Sequence, residues 1–350
     1  MGHDTHRSER SASTRTANAG RVILQAENLG KSYGPREALR GLTFSLQAGR
    51  ILGFLGPNGA GKTTAIRILT TILEADTGHF VIDGIPSEYP EKIRHRIGVL
   101  PETLGFHKQM SGIECLIFFG RLYGQTYAQA KTNGEALLKD VGLDHRSRSL
   151  VGTYSRGMRQ RLGIARALVN APAVVILDEP TLGLDPRGQQ ELLTIIRWIA
   201  KERNTGVILC SHLLTEVESV CDDVVILSSG SVVAKGTTAE VIGHTRPDTL
   251  QRTSIRVQVP PAFAAQAQRT IEALPNVLRV VPGASAGWLA ISLVTLADGT
   301  STDDPRATNR ITEALIRADI PILSFGAEGG RLQDVFLHLT EDSLPEEALH

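Results

Sequence analysis

The stretch best suited to chemistry is a glycine-rich segment that follows a short apolar run. The run, Ile51–Leu55, predicts a buried strand, and the residues after it match the spacing G-x-x-x-x-G-K-[ST] at Gly56, Gly61, Lys62 and Thr63. Glycines let the backbone curl so that its N–H groups point inward, and a helix beginning there directs its positive end at the same anion. The segment therefore predicts a phosphate-binding loop, with Lys62 on the β- and γ-phosphates and the Thr63 hydroxyl on Mg²⁺. The residues expected to line this loop are Gly56, Pro57, Asn58, Gly59, Ala60, Gly61, Lys62, Thr63 and Thr64.

Two adjacent carboxylates, Asp178 and Glu179, form the second chemical group. They follow four consecutive large aliphatic residues, 174–177, which predict a strand buried on both faces, as in a parallel sheet. Open α/β sheets bind ligands at the carboxyl ends of their strands. Asp178 is placed to bind Mg²⁺, and Glu179 to accept a proton from an attacking water. An ordinary solvated loop is the alternative, but a phosphate loop in the same chain favours catalysis.

Four further residues have both a functional and a plain structural interpretation. Tyr33 offers a flat ring for stacking on a base, although a lone tyrosine in a turn is usually structural. Ser155 suits a helix N-cap and Gly157 allows close backbone approach, which also describes any helix start. His212 follows the apolar run 207–210 and can donate a hydrogen bond to a γ-phosphate, or can be an ordinary histidine that caps a helix or packs in the core.

The surrounding pattern predicts the elements that position these residues. Further strands are predicted at residues 22–26, 42–46, 79–82 and 97–100, with a hairpin formed by 224–227 and 231–234, and helices within 111–143, from about 155 to 169 and at 189–201. Residues 1–21 are rich in Ser, Thr and Arg with almost no large apolar side chain, which predicts a disordered tail. We divide the rest into a nucleotide-binding domain at 22–243, a linker at 244–253 and a C-terminal domain at 254–350. The predicted β-α-β-β-α-β order of that last domain, closing with a strand at 320–325 and followed by a helix at 331–339, suggests a ferredoxin-like fold.

The composition limits the classes of function. The chain has 350 residues, room for about two domains, and its 37 basic residues equal its 37 acidic residues, which disfavours nucleic acid as a partner. The three cysteines, Cys115, Cys210 and Cys221, lack metal-ligand spacing and suggest reduced thiols in the core of a cytosolic protein. No apolar run approaches the roughly 18 residues that cross a bilayer, and the N-terminus does not resemble a signal peptide. A role at the membrane is therefore expected to require a partner.

In this order, the motifs make residues 22–243 resemble an ATP-binding cassette (ABC) ATPase. Tyr33 matches the adenine-stacking loop, residues 56–64 the Walker A loop, Pro101-Glu102 the Q-loop, 155–160 the signature, 174–179 the Walker B strand, Asp185 the D-loop and His212 the switch histidine. The resemblance implies an α/β fold: a RecA-like core with an antiparallel β subdomain and a helical subdomain at about residues 103–165. It implies hydrolysis of ATP with Glu179, His212 and Lys62 as catalytic residues. ATP contacts are implied for Tyr33, Glu102, Ser155, Gly157, Asp178 and Asp185, and Mg²⁺ contacts for Thr63, Glu102 and Asp178.

The chain departs from the family pattern at two motifs. Glu102 stands where the Q-loop has glutamine, which keeps an oxygen for Mg²⁺ but removes the amide donor. In the signature, Arg156 replaces a glycine and Met158 replaces a glutamine. We expect hydrolysis to be retained. The Arg156 and Met158 substitutions resemble the signature of the branch that pairs with separate permeases in drug- and antibiotic-resistance exporters.

The resemblance also implies the assembly. Two cassettes sandwich two ATP molecules head to tail, so that Ser155 and Gly157 of one subunit meet the phosphate held by Lys62 of the other, and a single-cassette chain is expected to form a homodimer. An integral-membrane permease is the implied partner, with the protein peripheral on the cytoplasmic face of the membrane. Leu104, Phe106 and the helix at 110–119 are candidate permease contacts, or equally parts of the helical core.

The main rival is a soluble ABC ATPase that acts on ribosomes or DNA. Such proteins usually carry two cassettes or a long coiled-coil insertion, and this sequence has neither. A nucleotide-binding regulator without turnover is disfavoured by the intact Asp178-Glu179 pair and by His212. The transported substance stays open, and the closing helix is expected either to help hold or regulate a dimer or to cap its own domain.

Overall fold

A computed structural model of the chain describes residues 20–244, 254–275, 277–283, 286–293, 305–328 and 332–341. Nearly all of the predicted tail, 1–21, and of the predicted linker, 244–253, lies outside these ranges. The chain divides into two units, one of residues 1–238 with 336–350 and one of residues 239–335. Within the described ranges, no helix combines the length and the apolar character that crossing a membrane requires.

The strands of the first unit are β1 (Val22–Tyr33), β2 (Arg36–Gln47), β3 (Ile51–Leu55), β4 (Thr77–Ile82), β5 (Ile85–Pro86), β6 (Ile97–Leu100), β7 (Val174–Asp178), β8 (Gly206–Cys210), β9 (Asp223–Ser228) and β10 (Ser231–Thr237). Its helices are α1 (Lys62–Leu69), α2 (Pro90–Arg94), α3 (Gly112–Leu122), α4 (Tyr127–Asp140), α5 (Arg156–Ala167), α6 (Pro186–Arg203) and α7 (Leu214–Val220), and α8 (Thr238–His244) follows at the division. The predicted α/β class and each predicted strand of this region are confirmed.

A six-stranded sheet with the order β10-β9-β3-β8-β7-β6 forms the centre of this unit. All its neighbours pair in parallel except β10, which forms the predicted antiparallel hairpin with β9. Every residue of β3 and β8 is buried, because a parallel strand covered on both faces reads as a continuous apolar run. Cys210 of β8 is level with Phe54 of β3 and with Asp178 of β7. The carboxyl ends of three adjacent strands therefore meet at one edge.

A second, antiparallel sheet has the order β2-β1-β4-β5. The first strand continues to Tyr33, well beyond the predicted end at Ala26. Asn28 and Gly30 interrupt the strand pattern in the sequence, but the structure accommodates them with shifts of register against β2 and a left-handed Asn28. Phe44 of β2 packs edge-on against Phe54, with ring centroids 5.1 Å apart, which joins the cores of the two sheets.

The helical region between β6 and β7 holds α3, α4 and α5. Both α3 and α4 begin with a capping box, in which Ser111 and Thr126 cap the helix while Glu114 and Gln129 bond back to them. The helical pattern predicted from 111 to 143 is thus two helices, with a turn that contains Gly124 at φ +82°.

The second unit is built from β11 (Ser254–Gln258), α9 (Ala264–Glu272), β12 (Val277–Pro282), β13 (Trp288–Leu293), α10 (Pro305–Arg317) and β14 (Ser324–Glu328). Its antiparallel sheet has the order β12-β13-β11-β14. This is the split β-α-β arrangement of a ferredoxin-like fold, as predicted. The alternating residues Leu289, Ile291 and Leu293 pack into a core with Ile271 of α9 and Leu315 of α10.

The last strand of this unit was predicted wrongly, at 320–325 instead of Ser324–Glu328. Ile320 is apolar because its side chain is buried in the core, while its N–H bonds back to Leu315 at the end of α10. Pro321 has no N–H to donate to a ladder, so pairing begins only after it. The closing helix, α11, spans Leu332–Glu341.

Candidate functional site

The phosphate loop connects β3 to α1 through three glycines with positive φ. Gly56, Gly59 and Gly61 have φ values of +155°, +82° and +104°. A Cβ on Gly61 would lie 2.4 Å from the Ala38 carbonyl oxygen of β2, so only glycine fits this close approach. The sharp turn brings α1 to its start at Lys62, with its N-terminal N–H groups at the loop.

The Lys62 side chain folds into the loop. Its Nζ donates to the carbonyl oxygens of Gly56 at 2.5 Å and of Pro57 at 3.1 Å. Burial lowers the pKa of Lys62, although the nearby carboxylates Glu179 and Asp178 favour the charged form. The ammonium is thus held between the loop and the Walker B carboxylates, as an anion-binding group requires.

Asp178 lies among charges of both signs. Burial raises the pKa of its carboxyl, the negative charges of Glu179 and Glu102 raise it further, and Lys62 and Arg67 oppose them. Glu102 follows the end of β6, whose Leu100 is level with Leu177 of β7, and it is exposed. Glu102 and Glu179 therefore both lie near enough to Asp178 to act on its charge, and Asp178 and Glu179 act on Lys62.

Glu179 and His212 form a direct pair at the same edge. The Nδ1 of His212 lies 2.7 Å from Oε2 of Glu179, and the His212 backbone N–H points to the same oxygen at 3.4 Å. The Glu179 side chain is largely buried, whereas His212 is exposed. Nε2 is the imidazole nitrogen that remains for a phosphate. The structure thus brings together Lys62, Asp178, Glu179 and His212.

Tyr33 lies at the turn of the hairpin between β1 and β2. It ends β1, is 46% exposed and is paired across the hairpin with Arg36. Arg36 reaches the loop, since its Nη2 would lie 3.2 Å from a Cβ on Gly59. The sequence motifs did not include this cation. The one available signal is its position three residues after Tyr33, in a hairpin.

The signature residues form a group with the D-loop. Ser155 caps α5, and its Oγ accepts from the Met158 N–H at 3.2 Å. Arg156, the residue in place of a glycine, lies over Gly183, where a Cβ would be 2.6 Å from the guanidinium carbon. Gly157 approaches Leu184 of the same turn, and exposed Asp185 precedes α6.

A buried polar cluster behind the Glu179–His212 pair was not predicted. Glu216 of α7 is 5% exposed, and its Oε2 accepts hydrogen bonds from Thr181 Oγ1 at 2.7 Å and from Ser211 Oγ at 3.0 Å. The signal in the sequence was a glutamate on the apolar stripe of a helix that also carries Val217 and Val220.

Comparison with known proteins places these features in context. A family model described as "ABC transporter" matches residues 39–182. The daunorubicin/doxorubicin resistance ATP-binding protein DrrA of Streptomyces peucetius is 33% identical over 93% of this chain and 96% of its own length. The bacitracin transport ATP-binding protein BcrA of Bacillus licheniformis is 40% identical over 61% of this chain and 69% of its own.

Solved structures of ATP-binding cassettes match about three fifths of this chain. The structure of cbiO1 from Clostridium perfringens, part of the ABC transporter complex cbiONQ, is 28% identical with a TM-score of 0.59 and covers 63% of this chain and 91% of that one. The dimeric ATP-binding cassette MJ0796, bound to ADP and Pi, shares the fold with a TM-score of 0.56 at 21% identity, covering 61% of this chain and 98% of that one.

Proposed function

Because this chain belongs to the ABC transporter ATP-binding proteins, we propose that it powers export through a separate integral-membrane permease. It binds ATP and hydrolyses it to drive transport, as the resemblance implied. The full-length similarity to a resistance ATP-binding protein supports export and counts against action on ribosomes or DNA. The observation that carries the proposal is the meeting of Lys62, Asp178, Glu179 and His212 at one edge of the parallel sheet.

The positions of Lys62, Glu179 and His212 support a role for each. Lys62, held inside the phosphate loop, neutralises phosphate charge, and loop N–H groups complete the cradle. Glu179 polarises the attacking water as a general base, while His212, bonded to Glu179 through Nδ1, orients that carboxylate and offers Nε2 to the γ-phosphate. Positioning and charge stabilisation of this kind supply most of the catalysis in phosphoryl transfer.

We assign Mg²⁺ to the oxygen ligands of Thr63, Asp178 and Glu102. The described residues include no cluster of three or more His, Cys, Asp or Glu side chains that could hold a metal by themselves. Mg²⁺ suits this site because it usually takes one or two carboxylates together with substrate phosphates. The pKa of Asp178 is raised first by burial and then by the negative charges of Glu179 and Glu102, and a bound cation would offset both effects. When bound, Mg²⁺ supplies charge neutralisation at the phosphates.

ATP contacts beyond the phosphates are assigned to Tyr33, Ser155, Gly157 and Asp185. Exposed Tyr33 has a ring available for stacking on adenine. Ser155 and Gly157, at the start of α5, are proposed to meet the ATP of the second subunit in a homodimer, with Asp185 of the D-loop beside them.

The permease is proposed to dock beside the helical region, which would place the protein on the cytoplasmic face of the membrane. Arg166 fixes the segment after Glu102, since its Nη1 donates to the Leu104 carbonyl oxygen at 2.7 Å and its guanidinium stacks on Phe106, with the guanidinium carbon 4.7 Å from the ring centroid. Phe118 on α3 is half exposed, which suits an apolar partner.

The test is a pull-down of tagged Glu179→Gln protein, with ATP, from detergent-solubilised membranes of the same cell. Glu179→Gln is expected to bind ATP, barely hydrolyse it and persist as a dimer, so that it retains the partner. The matched control carries Lys62→Ala in addition and is expected to lose both ATP and the partner. Mass spectrometry should identify a polytopic membrane protein. Recovery of ribosomal or DNA-repair proteins without one would contradict the proposal.

A further inference from the structure

Glu179 has a backbone conformation that side chains rarely adopt. Its φ is +47°, in the left-handed region, and such a conformation persists only where the surrounding structure fixes it. The Glu179 N–H donates to the Cys210 carbonyl oxygen at 2.9 Å, and its carbonyl oxygen accepts from the Leu182 N–H at 3.2 Å. The segment after β7 is therefore tied to the end of β8, where His212 begins its own loop.

The Glu216 cluster makes a second connection between the same two segments. Thr181 lies two residues after Glu179, and Ser211 lies immediately before His212. Both hydroxyls donate to the same atom, Glu216 Oε2, and all three residues are buried. The Ser211 Oγ also accepts from the Leu213 N–H at 3.1 Å, which sets the direction of the chain directly after His212.

Resting on the proposed role of Glu179, we propose that Glu216 is a positioning residue for hydrolysis, which holds the Glu179 loop and the His212 loop together from behind. A carboxylate suits this task because it only accepts hydrogen bonds, and one of its oxygens can take both hydroxyl donors. Burial of the cluster excludes water that would compete for these hydrogen bonds. Without Glu216, the 2.7 Å contact between Glu179 and His212 loses its support.

Three variants on α7 test the proposal. Glu216→Ala removes the acceptor, Glu216→Gln keeps an oxygen that can accept from Thr181 and Ser211, and Thr215→Ala changes the exposed neighbour as a matched control. Loss of positioning groups behind a reactive centre typically costs on the order of 10- to 100-fold. We expect this loss in kcat for Glu216→Ala with little change in the KM for ATP, and near-parental values for Glu216→Gln and Thr215→Ala.

A second measurement separates positioning from a general loss of structure. If Glu216 acts through the Glu179–His212 pair, Glu216→Ala in a His212→Ala background should lower kcat by less than about threefold more, because the pair is already broken. Should Glu216→Ala fail to fold, Thr181→Val, which removes one donor and keeps the shape, takes its place in the same cycle. Equilibrium ATP binding by each variant checks that the phosphate loop is intact.

The outcomes are distinct from those that test the catalytic assignment. Unchanged kcat in Glu216→Ala, an undiminished effect in the His212→Ala background, or Glu216→Gln as poor as alanine would each overturn the positioning role. Full turnover by Glu179→Gln would instead overturn the role of Glu179 itself. Loss of turnover in Glu179→Gln with normal turnover in Glu216→Ala would leave the catalytic proposal in place and remove only this one.

Discussion

Gly61→Ala places a methyl group where the phosphate loop passes the backbone of β2. A Cβ there would lie 2.4 Å from the Ala38 carbonyl oxygen and 2.8 Å from Leu39 Cδ2. A residue other than glycine in the left-handed region costs about 1–2 kcal/mol, and forced overlap in a packed region costs about 1–3 kcal/mol more. We expect Gly61→Ala to lower the free energy of unfolding of the ATP-free protein by about 2–5 kcal/mol.

Urea unfolding followed by tryptophan fluorescence measures this loss of stability, provided that the signal comes from the first unit of the structure, where Gly61 lies. The chain has two tryptophans, so a Trp288→Phe background leaves Trp198 of α6 as the reporter of the first unit. Gly34→Ala is the matched control: Gly34 also has a positive φ, +60°, but a Cβ there meets nothing within 4 Å. Its expected loss is about 1–2 kcal/mol, from the backbone conformation alone.

The difference between the two variants isolates the contact with β2. Equal losses for Gly61→Ala and Gly34→Ala would show that the Ala38 carbonyl yields freely, and the close approach would then not explain the glycine. A larger loss of stability for Gly61→Ala, with a weaker affinity for ATP, would show that close packing against β2 fixes the position of the phosphate loop.

Two further predictions concern charge around ATP. The folded-state pKa of Asp178 is raised by burial, Glu179 and Glu102, so its ionisation destabilises the fold progressively as the pH rises from the ordinary carboxyl pKa through the raised value. Asp178→Asn should therefore increase the free energy of unfolding of the ATP-free protein at about pH 7 and have little effect on it at about pH 3. The same variant should abolish Mg²⁺-dependent hydrolysis. An unchanged or lower free energy of unfolding at neutral pH would contradict this reasoning. Arg36→Gln should raise the Kd for ATP by about 2- to 5-fold at low salt and by less at high salt, because an exposed ion pair is weak and screened by salt. The control variant Arg40→Gln should leave the Kd unchanged. Equal effects of the two variants in equilibrium binding would exclude a specific contact from Arg36.

The sequence predicts the central sheet well because strands buried on both faces appear in the sequence as continuous apolar runs. Runs such as Ile51–Leu55 and Ile97–Leu100 have the observed bounds, since their ends coincide with glycine or proline. Prediction fails where an apolar residue is buried without being in a strand, as at Ile320, or where a strand tolerates irregular residues, as at Asn28. At Asn28 the deciding contacts come from β2, a separate strand, whereas at Ile320 they come from Leu315 and Pro321 nearby, which an apolar pattern alone does not indicate.

The phosphate loop can be predicted from the sequence, whereas the Glu216 cluster behind the Glu179–His212 pair cannot. Residues that contact phosphate must follow one another at fixed spacing, because a single turn presents them, so the phosphate loop can be identified from the sequence. Glu216 meets Thr181 across 35 positions and Ser211 across five, and neither spacing defines a motif. Yet the left-handed Glu179 and the ionised Asp178 both cost stability where they stand. A site that contains such residues needs compensating contacts elsewhere in the fold. A glutamate on the apolar face of a helix, such as Glu216, is a sequence feature that can indicate them.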